Sequence, residues 1–360
     1  MLAIEAHELT REFRQYRSRP GLLGAIRDLF GREYTVIRAV DRVSLRIAPG
    51  EIVGYIGANG SGKSTTIKML TGILVPTSGW VRVNGYDPHD ERTALAYKRT
   101  IGVVFGQRSG LWWDIAVKET FRLLQRMYEV PEAEFRSYFA ELVEALEIGP
   151  LLDIPVRKLS LGQRMRCELA AALLHKPRVL FLDEPTVGLD VMVKLRIREF
   201  LREVNRRYGT TILLTTHDLS DIEALCPRVV LLHRGRILYD GALADLRRRE
   251  ARGRTLRLSF REPVAPDRVQ AALAGIPCSV ESQGEAECLV HLAEADAVPA
   301  ALARLVPHLP LKDLAVAEPT MEEIVRQLYR TGAAGAEAAG TGEPSPAATP
   351  EADREEGGQG

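Results

Sequence analysis

The stretch Gly57-Ala58-Asn59-Gly60-Ser61-Gly62-Lys63-Ser64 constrains this chain more than any other. It fits G-x-x-x-x-G-K-[ST], in which glycines let backbone N–H groups turn inward around phosphate oxygens. The spacing assigns Lys63 to the β- and γ-phosphates of a nucleotide and the Ser64 hydroxyl to Mg²⁺. Glu51 to Ile56 reads as a buried strand feeding the loop, and Thr65 to Leu70 as a helix whose positive end faces the phosphates. The rest of the chain has to be arranged around that strand–loop–helix unit.

Ile4 to Phe13 reads as a first strand. A basic insert comes next over about residues 14–34, with Leu22, Leu23, Ile26, Leu29 and Phe30 at a helical period. It is either a short helix packed on its own domain or an amphipathic helix for a membrane surface or partner. Ala39 to Ile47 alternates, with Val43, Leu45 and Ile47 inward, and Gly79 to Gly85 is a strand ending in an Asn-Gly turn. Ile101 to Phe105 is a compact apolar strand that delivers Gln107. From Ser109 the pattern turns helical, predicting a helical subdomain over about residues 109–175 that ends in a helix from Ser160 to about Leu174. Val179 to Glu184 is an apolar strand closed by two acids. Lys194 to Arg207 is helical, Thr211 to Thr216 is a buried strand, and Val229 to Leu232 with Arg236 to Tyr239 form a hairpin. Apolar strands alternating with helices predict a largely parallel sheet covered on both faces. After about Leu246 the order β-α-β-β-α-β resembles a ferredoxin-like unit, closed by a helix over Met321 to Tyr329. From Thr331 the chain is poor in large apolar residues and is expected to be disordered.

The charge balance narrows the partners. Lys+Arg and Asp+Glu are both 48, so the formal net charge is zero and no whole-protein field favours nucleic acid. No apolar run reaches the roughly 18 residues needed to span a bilayer, and Met1 to Glu5 lacks the basic start of a signal peptide. Cys167, Cys226, Cys278 and Cys288 show no C-x-x-C pairing, which suits reduced thiols in a cytoplasmic protein.

Four further residues suit phosphoryl transfer. Asp183 ends an apolar strand, where an acid can hold Mg²⁺; its other reading is a helix cap for the segment after the strand. Glu184 beside it is placed to polarise a water as general base, or else is an ion-pair partner. Gln107 comes after a core strand, where an amide can reach Mg²⁺ and the attacking water. His217 ends another, where an imidazole can meet the γ-phosphate. Both types are otherwise common as surface or structural residues. Leu159-Ser160-Leu161-Gly162-Gln163 opens a helix with Ser160 as N-cap, and a capped helix N-terminus is an anion site. The chain already has one phosphate loop, so this second site makes sense if it meets the nucleotide of a second copy.

Together these residues resemble the nucleotide-binding subunit of the ATP-binding cassette transporters. The matching segments are GANGSGKST (Gly57 to Thr65), FGQRSGLWWD around Gln107, LSLGQ, VLFLDEP, the Gly188-Leu189-Asp190 turn and Thr216-His217-Asp218. The run from Val156 to Asp190 looks like a multidrug- or polymer-exporter branch with separately encoded permeases. The resemblance implies an α/β P-loop NTPase cassette over 1–246, a small C-terminal α+β domain over 247–330 and a tail over 331–360. It implies two subunits, identical or not, clamping two ATP and Mg²⁺ between the phosphate loop of one and Ser160, Gly162 and Gln163 of the other. Asp190 would couple the two sites, and Phe13 or Tyr16 would stack on adenine. It implies an ATPase at the cytoplasmic face of the cell membrane, working beneath an integral membrane permease in a separate chain. A soluble mechanical ATPase of the same family is the alternative. Of Trp112 and Trp113, near the face that meets the permease in this family, one is expected to be core.

Overall fold

The computed structural model describes residues 1–16, 34–106, 109–250, 253–326 and 328–329. Its centre is a six-stranded sheet in the order β5-β6-β7-β3-β8-β9. The strands are β3 (Ile52–Gly57), β5 (Ile101–Phe105), β6 (Val179–Asp183), β7 (Thr211–Thr216), β8 (Arg228–His233) and β9 (Arg236–Ala242). Neighbours run parallel except β8 and β9, which form the expected hairpin. The strands are apolar throughout because both faces are covered, and successive side chains alternate between two cores. Val53, Tyr55, Val179, Phe181, Leu213 and Val230 enter one core, whereas Leu180, Leu182, Ile212, Leu214, Val229 and Leu231 enter the other.

The first core is closed by a second sheet. Strands β1 (Ile4–Tyr16), β2 (Tyr34–Ile47) and β4 (Ser78–Val83) pair antiparallel in the order β2-β1-β4. Val43, Leu45 and Ile47 point inward as their alternation requires, and Val83-Asn84-Gly85-Tyr86 is a tight turn with positive φ at Asn84 and Gly85. Helix α1 (Lys63–Leu70) buries Ile67, Met69 and Leu70 in the same core. Short α2 (Ala94–Lys98) precedes β5.

The other core is roofed by helices α3 (Val117–Met127), α4 (Glu132–Ala145), α5 (Leu161–Leu173), α6 (Val191–Tyr208) and α7 (Leu219–Leu225). The first three fall in the stretch whose helical period stands out in the sequence. Helix α8 (Leu243–Glu250) leads to a four-stranded antiparallel sheet of β10 (Arg254–Phe260), β11 (Cys278–Ser282), β12 (Glu287–Leu292) and β13 (Leu311–Ala317). Its order is β11-β12-β10-β13, and α9 (Pro266–Ala272) and α10 (Val298–His308) close a third core on one face. Residues 321–326 and 328–329 are helical, and Met321, Ile324 and Val325 are buried with the second core of the cassette. This segment also returns to the C-terminal sheet, where Glu323 accepts from Thr255 Oγ1 at 2.9 Å.

Two expectations need correcting. The insert is expected from residue 14, but Arg14 to Tyr16 continue β1 and pair with Tyr34 to Val36, so the chain leaves and re-enters through a longer hairpin. The apolar period at residues 22–30, and the tail from residue 331, lie outside the described residues. Trp112 and Trp113 are 42% and 52% exposed, so neither is core; the aromatic pair sits in a loop rather than on an alternating element. Among the described residues, no helix is long and apolar enough to cross a membrane.

Candidate functional site

The phosphate loop continues directly from β3. Gly62 has φ +106°, and a Cβ there would stand 2.4 Å from the Ala39 carbonyl oxygen, so only glycine fits. Gly62 is the N-cap of α1 and offers no side-chain cap, and the first turn of α1 carries no acid. The open N–H groups and the positive helix end are therefore available to an anion. The helix is fixed to the strand that feeds it: Tyr55 OH donates to Thr66 Oγ1 at 3.2 Å, and Thr66 Oγ1 donates to the Gly62 carbonyl at 3.0 Å. Lys63 Nζ donates to the carbonyls of Gly57 and Ala58 at 2.7 and 3.2 Å, so the loop wraps its own ammonium. Burial pushes the Lys63 pKa down, and the nearby Glu184 and Asp183 carboxylates oppose that.

Strand β6 carries the acids to the same rim. Ser64 Oγ donates to Asp183 Oδ1 at 3.2 Å, and Thr215 Oγ1, from the neighbouring β7, donates to the same oxygen at 2.5 Å. The Gly106 N–H, at the exit of β5, donates to the Asp183 carbonyl at 2.8 Å. Glu184 has φ +55°, a left-handed conformation uncommon for a residue with a Cβ, and its N–H is held by Thr215 O and Oγ1 at 3.0 and 3.2 Å. That kink turns the chain as it leaves the sheet. His217 Nδ1 lies 3.5 Å from Glu184 Oε1. Ser64, Asp183, Glu184 and His217 are thus brought together as their sequence positions predict, while Gln107 lies outside the described residues. Among the described residues no cluster of three or more His, Cys, Asp or Glu could hold a metal by itself. The hydroxyl of Ser64 and the carboxylate of Asp183 are hard oxygen donors, which suits an ion such as Mg²⁺ that keeps most of its shell as water and phosphate.

The Leu159–Gln163 segment is built differently. Ser160 Oγ accepts from Gln163 N–H at 3.2 Å and Gln163 Oε1 accepts from Ser160 N–H at 2.9 Å, a reciprocal capping box on α5. Among the described residues no hydrogen bond joins Ser160, Gly162 or Gln163 to the phosphate loop, and Ser160 faces solvent. Asp190 caps α6 by accepting from Val193 N–H at 2.9 Å, and it too is exposed. Phe13 is 39% exposed with the Arg11 guanidinium 4.9 Å over its ring, and it lines a surface recess with Arg14, Tyr34 and Thr77. Tyr16 instead packs edge-on to Tyr34 at 6.0 Å.

Thr215 is a site residue that sequence reasoning misses. The signal is there, since Thr215-Thr216 puts two hydroxyls at the end of the strand, after the apolar Ile212-Leu213-Leu214. Asp221 is missed as well. It is fully buried, accepts from Arg198 Nε at 2.6 Å and from the Thr186 hydroxyl, tying α7 to α6 and to the turn after Glu184.

A phosphate loop between a central parallel strand and its helix, facing an acid pair on a nearby strand, defines a P-loop nucleoside triphosphatase. Comparison with known proteins narrows this class. Residues 40–187 match the ABC transporter family model. The ABC transporter ATP-binding protein NatA of Bacillus subtilis is 35% identical over 211 residues, covering 59% of this chain and 85% of that protein. The daunorubicin resistance ATP-binding protein DrrA3 of Streptomyces coeruleorubidus is 31% identical over 306 residues, covering 84% of this chain and 93% of that one. The methionine import ATP-binding protein MetN of Geobacillus kaustophilus is 35% identical over 240 residues, covering 66% and 70%. A dimeric ATP-binding cassette in a post-hydrolysis state, bound to ADP and Pi, superposes with a TM-score of 0.56 at 26% identity, covering 67% of this chain and 98% of that one. The chain belongs to the ATP-binding subunits of ABC transporters, the family that hydrolyses ATP to power transport.

Proposed function

We propose that this chain is the ATPase subunit of an exporter and that two copies, or one copy and a related cassette, close on ATP to drive a membrane permease encoded as a separate chain. One observation carries the dimer reading. The capped end of α5 is exposed and unattached to the chain's own phosphate loop, and the first-turn N–H groups that its capping box leaves open suit an anion presented by another cassette. In this reading Lys63 and the N–H groups of Gly57 to Thr65 hold the triphosphate, and Ser160, Gly162 and Gln163 of the facing copy complete the site. Ser64 and Asp183 would hold Mg²⁺, with Gln107 reaching it; the ion supplies charge neutralisation of the phosphates. Glu184 takes the proton of the attacking water, His217 orients that water, Asp190 links the paired sites and Phe13 stacks on adenine.

The export direction is supported by how far the similarity to DrrA3 runs. At 84% of this chain it extends past the cassette into the C-terminal unit. We assign residues 1–246 to the cassette and 247–330 to a ferredoxin-like unit, which its strand order supports. The zero net charge argues against nucleic acid as a partner, and the permease would place the subunit at the cytoplasmic face of the membrane.

Glu184→Gln tests the whole assignment. Hydrolysis is expected to fall at least ~100-fold with ATP affinity retained, and an ATP-dependent dimer should accumulate on size exclusion. A variant that hydrolyses ATP at the parental rate refutes the assigned base.

A further inference from the structure

Glu168 is an acid in an unexpected place. It sits on α5, 7% exposed, among Met165, Cys167, Leu169 and Ala170, which bury that helix in the core. Burial pushes its pKa up, against hydrogen bonds from Ser109 and Gly110 that favour the ionised form. Packing alone has no use for a carboxylate here, since burying one is costly unless its oxygens are matched.

The matching groups come from the loop that begins two residues past Gln107. Ser109 Oγ donates to Glu168 Oε1, and the Gly110 N–H donates to Oε2 at 3.0 Å. Ser109 Oγ in turn accepts from Leu111 N–H at 3.2 Å. A Cβ at Gly110 would stand 3.4 Å from Oε2, so the backbone approaches the carboxylate closely. Further ties occur in order along the loop: Arg164, one turn nearer the start of α5, lies 5.9 Å over the Trp113 ring, and Arg157 Nη1 donates to Asp114 Oδ1 at 3.1 Å. The loop therefore runs alongside the helix that Ser160 opens.

We infer that Glu168 is a positioning residue for ATP hydrolysis: its carboxylate clamps the Ser109–Leu111 loop to α5, so that the loop and the Ser160 end of the helix move as one body. This rests on the ATPase reading above. A rigid element is needed wherever one nucleotide is contacted from two chains, because a loop free to shift would uncouple closure of the clamp from alignment for hydrolysis.

The experiment uses the full chain with Ser109→Ala, Glu168→Ala, the double variant and Glu168→Gln. Steady-state ATP hydrolysis and amide exchange are both measured. Exchange at Gly110 and Leu111 should quicken about tenfold in Glu168→Ala. Ser109→Ala and Glu168→Ala should each lower kcat about tenfold, the double variant no further, with KM within about twofold. Glu168→Gln keeps an acceptor for Gly110 and should recover most of the rate. If Glu168→Ala does not fold, Ser109→Ala, altered at an exposed loop position, carries the test alone. Single variants within about twofold of the parental kcat, losses that multiply in the double variant, or unchanged exchange overturn the inference. A parental chain that fails to hydrolyse ATP removes the ATPase reading itself, whereas an active parent with unaffected variants removes this inference alone.

Discussion

Gly62 and Glu184 both hold left-handed backbone, at φ +106° and +55°, but for opposite reasons. At Gly62 the conformation leaves no room for a side chain, because the Ala39 carbonyl oxygen would be 2.4 Å from a Cβ. Gly62→Ala should therefore destabilise the fold by about 3 kcal/mol in urea titrations and abolish nucleotide binding, since the first-turn N–H groups have to shift. At Glu184 the side chain is kept despite the strain, because Thr215 holds the N–H and the carboxylate then faces His217. Beyond His217, burial raises the Asp218 carboxyl, but the Lys194 ammonium at 2.6 Å and the Ser220 hydroxyl outweigh it and bring the pKa down to about 2. The folded value lies below the ordinary 3.8, so the pair stabilises the protein above about pH 4 and loses that contribution as pH falls from about 4 towards 2. Asp218→Asn should show a flatter loss of urea midpoint than the parent over the upper part of that window.

Helix α5 shows how one element serves several tasks. Its core face is apolar, its start is closed by the Ser160–Gln163 capping box, and Glu168 reaches sideways to the loop after β5. Ser160→Ala removes one cap and should cost about 1 kcal/mol of stability. If the start of α5 also meets a second nucleotide, ATP-driven dimerisation should suffer more than ATP binding by the monomer, which parallel sedimentation and fluorescent-nucleotide titrations can separate. Ser160 as the N-cap was legible in the sequence, while the reciprocal bond from Gln163 came only with the structure. The role of Glu168 was not legible, because its partners lie 58 and 59 positions away and nothing local marks them.

The whole molecule is held together at its C-terminal end by a short helical segment. Met321, Ile324 and Val325 are at most 7% exposed and pack into the cassette core, while Glu323 and Arg326 bond to Thr255 and Glu281 of the C-terminal sheet. Each large apolar side chain buried this way contributes roughly 1.5–3 kcal/mol. Deleting residues 320–360 should therefore lower the Tm by several degrees and broaden the transition. Deleting 331–360 alone should leave the Tm within about 2 °C of the parent. Equal losses from the two deletions, read by calorimetry, would contradict the bridging role of this segment.

Sequence alone determined the phosphate loop, the acid-capped strand, the capped helix and nearly all strand positions in the cassette. These depend on local rules: residue period, turn chemistry and helix caps act within a few positions. Tertiary structure alone decided that β1, β2 and β4 leave the parallel sheet to form their own antiparallel layer, that Thr215 shares Asp183 with Ser64, and that Trp112 and Trp113 are both exposed. Those outcomes depend on which distant surfaces meet, and a pattern of apolar and polar residues marks a buried face without naming what covers it.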